Sequence, residues 1–408
     1  MTLTLFEGYG IEIEYMIVDR DSLAVKPIAD VLLREAVGHD TTELIGDAID
    51  WSNELTLHLI ELKTHGPAAS LERLGAEFAN EVLRIDALLD KHDARLLPTA
   101  MHPSMDPHTE MRLWPHENNP IYEAYHRIFD CRGHGWANLQ SVHLNLPFAS
   151  DEELWRLHSA TRLVLPLVPA LAASSPFVEG KLTGKLDNRV TFYAAHVERV
   201  PALMGDVIPE VVRSRAEYDA RILEPIYAAL APKDPEGTLR EEWANARGAI
   251  ARFDRMALEL RLTDVQEHPR ADVAVAALIA GAVRTLVAEG RLESYDSLES
   301  SRLRTILSDC ATVGDEAPIA DSDYLEALGV GPEPRSAGEI WRTLYDRTMP
   351  SGSTERAAHG VHLEPIFERG VLARRIARAT GGSPSSERVR DVYRALADCL
   401  VRGESFLG

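Results

Sequence analysis

The chain has 408 residues, of which 45% are hydrophobic and 26% charged, an ordinary composition for a globular protein of one large or two medium domains. Its 64 acidic and 43 basic residues give a formal net charge of −21, which argues against a nucleic-acid backbone as partner. Cysteines occur at Cys131, Cys310 and Cys399, without metal-ligand spacing, and their odd number favours a reducing compartment.

The sequence contains no recognisable targeting or membrane segment. Its first residues lack the basic and apolar regions of a secretion signal. The longest apolar runs, residues 163–173 and 273–283, are shorter than the ~20 residues that span a bilayer. We therefore expect a soluble cytoplasmic protein, with neither a membrane nor a nucleic acid as partner.

The first predicted strand covers residues 9–18, where apolar and acidic side chains alternate. Glu12 and Glu14 fall on one face of this strand, and Ile11, Ile13 and Tyr15 fall on the other. Two such carboxylates form either a solvated face or a platform for a cation. For the pair considered alone, the solvated face is the commoner case.

The remaining pattern predicts strands mainly in the first two-thirds of the chain and helices in the last third. This segregation favours an α+β fold with an antiparallel sheet. The predicted strands are 43–47, 54–64, 94–99, 136–147 and 256–265; the predicted helices are 27–38, 70–92 (with Ser70 as N-cap), 151–173, 216–230, 241–246 and the buried helix 271–289; short helices follow to the end of the chain.

Residues 104–135 are rich in Pro, His, Asn and Gly. This composition predicts a long functional loop rather than a packed element. We expect this loop to cover the substrate.

Several strand-like segments carry side chains that bind hard cations. Carboxylates on neighbouring strands can share one ion, because adjacent strands lie only ~5 Å apart. Glu54 and Glu61 are seven residues apart, so they reach one site only if a bulge intervenes or the strand starts after Glu54. The candidate ligands are Glu12, Glu14, Glu54, Glu61, His143 and Glu259.

Two of these candidates have ordinary structural alternatives. His143 shares a strand face with Ser141 and Asn145, and a lone histidine in a strand is more often structural. Glu259 shares a face with Arg261, so the two form either a cross-strand ion pair or a metal ligand beside a phosphate-binding arginine.

A local basic cluster stands out in this acidic chain. Arg247, Arg252 and Arg255 lie within nine residues of one another and could form an anion site. Each arginine taken alone could equally well belong to a salt bridge.

Taken in order, these residues resemble the glutamate–cysteine ligase family of the second type, which includes the broader carboxylate–amine ligases. The resemblance covers about residues 8–290, and its motifs together are fairly specific. The matching motifs are Gly10-Ile-Glu-Ile-Glu-Tyr15, Glu54-x6-Glu61-Leu-Lys-Thr64, Met101-His-Pro103, Val142-His143, Ser174-Ser-Pro-Phe-Val-Glu-Gly180 with Thr183, Gly184 and Arg189, and Leu258-Glu-Leu-Arg261.

The resemblance implies a glutamine-synthetase-like fold, an antiparallel sheet bent into a funnel that holds two or three Mg²⁺ or Mn²⁺ ions. It implies that the six candidate ligands form the metal shell, and that Arg189 and Arg261 meet phosphate or the substrate carboxylate. ATP would phosphorylate a carboxylate, and an amine would attack the acyl phosphate. We expect Arg189, Arg255 and Arg261 to act in catalysis, and the same three with Arg252 to bind the nucleotide.

The chain also departs from the family pattern. A Glu-Asn-x-Trp-x-Ala-x-Arg segment is missing, and residues 297–304 occupy its place. We therefore expect a specialised relative that joins a small carboxylate, with glutamate as one candidate, to an amine. We expect a catalytic domain over residues 1–295, a helical region over residues 296–408 packed on it or continuous with it, and a homodimer or larger assembly.

Two other functions are compatible with the sequence. The same kind of sheet and metal set could serve a kinase that phosphorylates a guanidino or amino group. A non-catalytic protein that binds nucleotide or metal could also keep this fold. Clustered glutamates without a cation would repel one another, which argues against a version of the latter without metal.

Overall fold

The longest strand, β1 (Gly10–Asp19), lies inside an eight-stranded antiparallel sheet in the computed structural model, which describes residues 2–408. The strand order is β2-β3-β4-β1-β6-β10-β9, and β5 also pairs with β1. Two short hairpins, β7–β8 and β11–β12, lie outside this sheet. The other strands are β2 (Glu43–Leu44), β3 (Ile49–Asn53), β4 (Leu59–Thr64), β5 (Ala94–Leu97), β6 (Ser141–Pro147), β7 (Phe177–Val178), β8 (Lys181–Leu182), β9 (Ala249–Arg252), β10 (Ala257–Asp264), β11 (Pro318–Ile319) and β12 (Arg335–Ser336).

Helices connect these strands and fill the last third of the chain. Short 3₁₀ and π segments join several of them, including Leu165–Leu167, Asp219–Leu223 and Glu242–Ala244. The α-helices are α1 (Ala29–Val37), α2 (Leu74–Leu89), α3 (Pro107–Glu110), α4 (Asn119–Phe129), α5 (His134–Ala137), α6 (Asp151–Val164), α7 (Pro169–Ala172), α8 (Asn188–Ala195), α9 (Arg215–Tyr218), α10 (Glu224–Leu230), α11 (Pro269–Glu289), α12 (Ser300–Val313), α13 (Ser322–Ala327), α14 (Ala337–Thr348), α15 (Thr354–Arg369), α16 (Leu372–Thr380) and α17 (Ser386–Arg402).

Alternation along β1 separates the two faces of the sheet. Ile11, Ile13 and Tyr15 are buried in the main hydrophobic core, on the side covered by α2, α6 and α11. Glu12 and Glu14 point to the other face. Burial of the apolar face is the main stabilising contribution here, since each large side chain removed from water contributes about 2 kcal/mol.

Helix α11 is the central helix of this core. It packs against α2 and α6, and also against the later helices α14 and α15. By length and composition α11 could cross a membrane, but 83% of its most apolar stretch is buried inside the protein. The sequence prediction of a buried helix is therefore confirmed, and the helix extends beyond the apolar run 273–283 on both sides.

The antiparallel α+β organisation agrees with the sequence prediction, while several boundaries differ. The predicted strand 54–64 starts only at Leu59, and β3 and β9 were not predicted. Ser70 is not the N-cap of α2, because that helix begins at Leu74 with Arg73 before it. The predicted loop 104–135 contains the helices α3, α4 and part of α5, so the expectation of an unpacked loop is wrong.

Candidate active site on the acidic face of the sheet

The register of β1 with its neighbours brings the predicted ligands together. Glu12 lies opposite Lys63 of β4 on one side and opposite His143 of β6 on the other. Glu14 lies opposite Glu61 of β4. Four hard ligands from three adjacent strands therefore share one face of the sheet, which no single stretch of sequence could establish.

Glu54 joins this group because it lies outside the strand. β3 ends at Asn53 and β4 begins at Leu59, so Glu54 belongs to the connection between them. Ligand oxygens of Glu14, Glu54 and Glu61 all lie within 4.8 Å of one another. The sequence spacing required either a bulge or a strand that starts after Glu54, and the start of β4 at Leu59 meets the second condition.

A second set of ligand atoms overlaps the first. Atoms of Glu12, Glu61 and His143 also lie within 4.8 Å of one another, so Glu61 belongs to both sets. The Nδ1 atom of His143 lies 2.9 Å from Glu12 Oε2. The two sets together form one continuous acidic cluster, which we call the carboxylate cluster (Glu12, Glu14, Glu54, Glu61 and His143).

Neighbouring polar side chains hold the carboxylate cluster in place. Ser141 donates to Glu14 from both its backbone N–H, at 2.8 Å, and its hydroxyl, at 2.9 Å. Asn145 donates to Glu12 at 3.1 Å, and Ser52 donates to Glu61 at 2.8 Å. These partners orient the ligand oxygens, as supporting groups do around metal sites.

The carboxylates of this cluster repel one another, so a positive charge placed among them would be stabilising. Burial, together with the charges of Glu61 and Glu14, raises the pKa of Glu54 well above its usual range. Burial and the charge of Glu12 likewise raise the pKa of Glu61. Buried carboxylates in this state fit a bound cation, and oxygen-rich donor sets suit Mg²⁺ or Mn²⁺.

Glu12 behaves differently from the other carboxylates. Burial would raise its pKa, but the hydrogen bond and charge of His143, with Arg255 and Lys63, lower the pKa to about 2. Burial would lower the pKa of His143, but the hydrogen bond that its ring donates to Glu12 and the charges of Glu14 and Glu12 raise that pKa. Glu12 and His143 therefore favour each other's charged forms through their hydrogen bond.

Glu259, the sixth predicted ligand, lies one strand further along the same sheet, opposite Asn145. Its carboxylate is 2.9 Å from Arg261 Nε and 3.3 Å from Arg252 Nη1. Among residues 2–408, neither close set of ligand atoms includes Glu259. In this structure Glu259 is therefore held by two arginines, as the ion-pair interpretation of the sequence expected.

The predicted arginines occupy distinct environments. Arg189 is only 1% exposed and forms an ion pair with Asp264 at 2.5 Å, while its Nη2 has no hydrogen-bond partner. Arg255 is 54% exposed and lies 3.7 Å from Glu12. Arg247 is separate from the predicted cluster, because it forms a buried two-point ion pair with Glu210. The proposed joint anion site of Arg247, Arg252 and Arg255 is therefore wrong for Arg247.

Two cavities open onto the carboxylate cluster. One, of about 740 Å³, includes Glu12, Lys63, Asp254 and Arg255 in its lining, and we call it the outer cavity. The other, of about 250 Å³, we call the aromatic cavity. Its lining includes Glu14, Glu54, His143, Arg189, Arg261, Tyr122, Tyr125, Trp136, Tyr193, His196 and Trp243.

Sequence reasoning missed several residues of this site. Lys63 is the clearest, since alternation along β4 places it on the same face as Glu61, and its Nζ lies 3.4 Å from Glu61 Oε1. The aromatic residues carried no sequence signal, because they come from α4, α5, α8 and the 3₁₀ turn Glu242–Ala244, which are far apart in the chain.

Comparison with known proteins identifies the family. The model of glutamate–cysteine ligase family 2 matches residues 9–395. An uncharacterized protein from Archaeoglobus fulgidus is 37% identical over 280 residues, which are 69% of this chain and 75% of that protein. A Salinispora arenicola protein, provisionally named glutamate–cysteine ligase 2, is 27% identical over 385 residues, or 91% of this chain and 87% of that protein.

Solved structures show the same fold at low identity. A glutamate–cysteine ligase from Francisella tularensis, in complex with AMP, has a TM-score of 0.57 and 12% identity over 98% of this chain and 90% of that one. A bifunctional glutathione synthetase from Pasteurella multocida has a TM-score of 0.50 and 15% identity over 97% of this chain and 52% of that one. The expected fold class is confirmed. Since the family model covers nearly the whole sequence, the chain belongs to the glutamate–cysteine ligase family 2.

Proposed function

We propose that this protein is an ATP-dependent ligase that joins a small carboxylate to an amine through an acyl phosphate. The family is one of glutamate–cysteine ligases, so ligation of a carboxylate to an amine is the activity that membership supports. The observation that carries the proposal is the carboxylate cluster, which joins two sets of hard ligands through Glu61 beside a buried arginine.

The proposed cofactors are ATP and Mg²⁺ or Mn²⁺. Glu12, Glu61 and His143 would hold one ion and Glu14, Glu54 and Glu61 another. Bound there, the ions would neutralise the triphosphate and favour phosphoryl transfer. Use of a nucleotide is also supported by the Francisella tularensis ligase of the same fold, which was solved with AMP. Glu259 stays a proposed ligand that would first have to leave its two arginines.

The outer cavity is the proposed nucleotide site. It combines an open volume with the cations Lys63 and Arg255, which lie beside Glu12. These side chains suit a triphosphate, because Lys and Arg bind phosphate oxygens with charge-assisted hydrogen bonds. Arg252 lies on the adjacent strand β9, where it would support the same site through Glu259.

The aromatic cavity is the proposed site for the carboxylate and the amine. Arg189 lines this cavity, and its Nη2, which has no hydrogen-bond partner, could bind a substrate carboxylate. The carboxylate oxygen would attack the γ-phosphorus of ATP, and ADP would leave. The amine nitrogen would then attack the acyl carbon, lose a proton and release phosphate. Arg261 would stabilise the negative charge on the phosphoryl group during both steps.

Catalysis would depend mainly on position and charge. The protein would hold both substrates and the triphosphate next to one another, and the arginines would balance the charge that develops. Because ATP and small carboxylates are cytoplasmic metabolites, we propose that the enzyme acts in the cytoplasm. A homodimer or larger assembly stays a prediction from the family resemblance.

Product analysis tests this function directly. The pure protein is incubated with ATP, Mg²⁺ or Mn²⁺, glutamate and a panel of amines, and products are measured by mass spectrometry. We expect a product with the mass of acid plus amine minus water, formed together with ADP and only when both substrates are present. A phosphorylated amine formed without any carboxylate would instead establish a kinase and contradict the proposal.

A further inference from the structure

The walls of the aromatic cavity are formed by a continuous series of rings. Ring centroids lie 5.0 Å apart for Tyr125 and Trp136, 4.5 Å for Trp136 and His196, and 4.8 Å for His196 and Tyr193. Trp243 extends the series, 6.0 Å from Tyr125. A small cavity with such walls favours flat or apolar ligand groups.

Tyr193 belongs to the hydrophobic core, but the two tryptophans of the series are less buried than core tryptophans. Trp51, Trp114 and Trp341 are fully buried, as core tryptophans are. Trp136 and Trp243, by contrast, are only partly buried, although both line a concave site. Aromatic surface left partly open in a cavity is typical of a binding site, because a ligand that covers it gains hydrophobic stabilisation.

The cavity offers few groups for anionic substrates. Its lining contains two arginines and His143 but no lysine, and His143 is engaged by Glu12 at 2.9 Å. Arg261 is engaged by Glu259 at 2.9 Å, and Arg189 keeps only Nη2 without a partner. His196 is neutral near pH 7, because burial lowers its pKa to about 4. This set provides for one carboxylate besides the reacting one, as a dicarboxylic acid such as glutamate requires.

We propose that the amine substrate has an aromatic or apolar carbon skeleton and carries no carboxylate. This inference rests on the proposed function, since it names the acceptor of the same ligation. The carboxylic acid takes the free Nη2 of Arg189, and the aromatic walls enclose the carbon skeleton of the amine. An amino acid acceptor, cysteine included, would bring a second carboxylate for which the cavity lining has no free cation. The reaction is unchanged: the amine nitrogen displaces phosphate from the acyl carbon and releases one proton.

The test compares acceptors against hydroxylamine, a small nucleophile that traps acyl phosphates without needing the aromatic walls. The full-length protein is given ATP, Mg²⁺ and glutamate or another dicarboxylic acid, with hydroxylamine, 2-phenylethylamine, phenylalanine or cysteine as acceptor. We expect 2-phenylethylamine to exceed phenylalanine and cysteine in kcat/KM by at least about tenfold, the effect of roughly one unpaired charged group. Formation of hydroxamate would support the proposed ligase. If hydroxamate forms and kcat/KM is higher for cysteine or phenylalanine than for 2-phenylethylamine, the inference is overturned while the ligase stands. Absence of hydroxamate with every acid would overturn the proposed function, and this inference with it.

Variants of the cavity lining test whether the aromatic cavity causes the preference for an aromatic amine. Trp243→Leu should lower the ratio of kcat/KM for 2-phenylethylamine to that for hydroxylamine by about tenfold, through loss of one aromatic contact. Tyr125→Leu provides a second variant if the first fails to fold. Trp155→Leu, which removes a partly buried tryptophan of α6 outside the cavity lining, should leave the ratio unchanged. An unchanged ratio in both folded cavity variants would overturn the inference.

Discussion

At the scale of single residues, the carboxylate cluster lowers the stability of the folded protein unless a cation is bound. Glu14 and Glu61 are each less than a tenth exposed, yet their oxygens lie near those of Glu54. Selection for folding stability alone would favour fewer buried acidic residues, because each unpaired buried charge is destabilising. The cluster therefore calls for a functional explanation, and the one we propose is the binding of cations for phosphoryl transfer.

Replacing Glu14 tests this explanation. Glu14→Gln keeps the size of the side chain but removes the charge, so we expect activity to fall at least about 100-fold, since even supporting residues of metal sites cost 10–100-fold. The circular dichroism spectrum and melting temperature should stay close to those of the wild type. Glu43→Gln on the edge strand β2, which is exposed, is the matched control and should keep full activity. An active Glu14→Gln protein would remove Glu14 from the metal site.

A second acid, Asp272 on α11, gives the protein a pH dependence of stability. Its oxygens accept hydrogen bonds from the backbone N–H of Gln266 at 2.6 Å and from the Tyr15 hydroxyl at 3.2 Å. Burial, opposed by the hydrogen bond from Gln266, raises the pKa of Asp272 to about 8. The native state therefore binds a proton that the unfolded state releases near pH 4.

The sign of this effect follows from proton linkage. Because the folded protein binds more protons than the unfolded chain between about pH 4 and 8, the free energy of unfolding falls as pH rises through that window. Asp272→Asn resembles the protonated acid, so its free energy of unfolding should fall less over the same window. Denaturant unfolding of both proteins at pH 5, 6, 7 and 8 measures the difference. Parallel pH profiles would show that Asp272 does not titrate in this way.

At the scale of residues, the sequence predicted which side chains share a face of β1, but not all the contacts that they make. Alternation in β1 correctly predicted that Glu12 and Glu14 share a face, because side-chain direction in a strand depends only on local backbone geometry. The partner of Arg247 could not be predicted, because Glu210 lies in a different part of the chain and no periodicity links the two. Pairing across long separations depends on tertiary packing.

At the scale of elements, residues 104–135 show where composition misleads. Their Pro, His, Asn and Gly content suggested a loop, but α4 forms within them and buries Ala124, Ile128 and Phe129. The helix is short, and tertiary packing rather than intrinsic propensity stabilises it. The expectation that this segment covers the substrate stays a prediction, which α4 supports by contributing Tyr122 and Tyr125 to the aromatic cavity.

A substitution on α4 tests the covering role. The Tyr122 hydroxyl accepts a hydrogen bond from Asn53 at 3.0 Å, next to Glu54, and its ring lines the cavity. Tyr122→Ala should raise the KM of the carboxylate or the amine by about tenfold, as loss of one buried aromatic contact does. The KM of ATP should change little, since Tyr122 is not in the outer cavity lining. Tyr227→Ala on α10 is the control, and unchanged Michaelis constants in Tyr122→Ala would contradict the prediction.

At the scale of the whole molecule, the last helices are tied closely to the sheet and its core. Arg375 of α16 forms a buried ion pair with Glu267 at 2.7 Å, just before α11. Trp341 of α14 donates to the carbonyl of Leu167 at 2.7 Å. Helix α17 packs on β5 and α2. The sequence suggested a boundary near residue 295 because strands give way to helices there, but such a pattern cannot reveal how tightly the two parts pack.

These contacts predict cooperative unfolding. Separating residues 296–408 from the rest would expose apolar surface and leave buried ionic groups such as Glu267 unpaired, which costs about 3 kcal/mol or more. Calorimetry should therefore show one transition whose calorimetric enthalpy equals the van't Hoff enthalpy. Two resolved transitions would instead support two domains that fold separately.

The central claim, ligation through an acyl phosphate, is tested most directly by following oxygen. The protein is given ATP, Mg²⁺, an amine and glutamate labelled with ¹⁸O in both carboxylates, and the released phosphate is measured by mass spectrometry. If the carboxylate attacks ATP, one labelled oxygen passes to phosphate for each amide formed, and this is the result we predict. Amide formed with unlabelled phosphate would contradict the acyl phosphate, and labelled acid recovered unchanged while ATP is consumed would contradict the ligase.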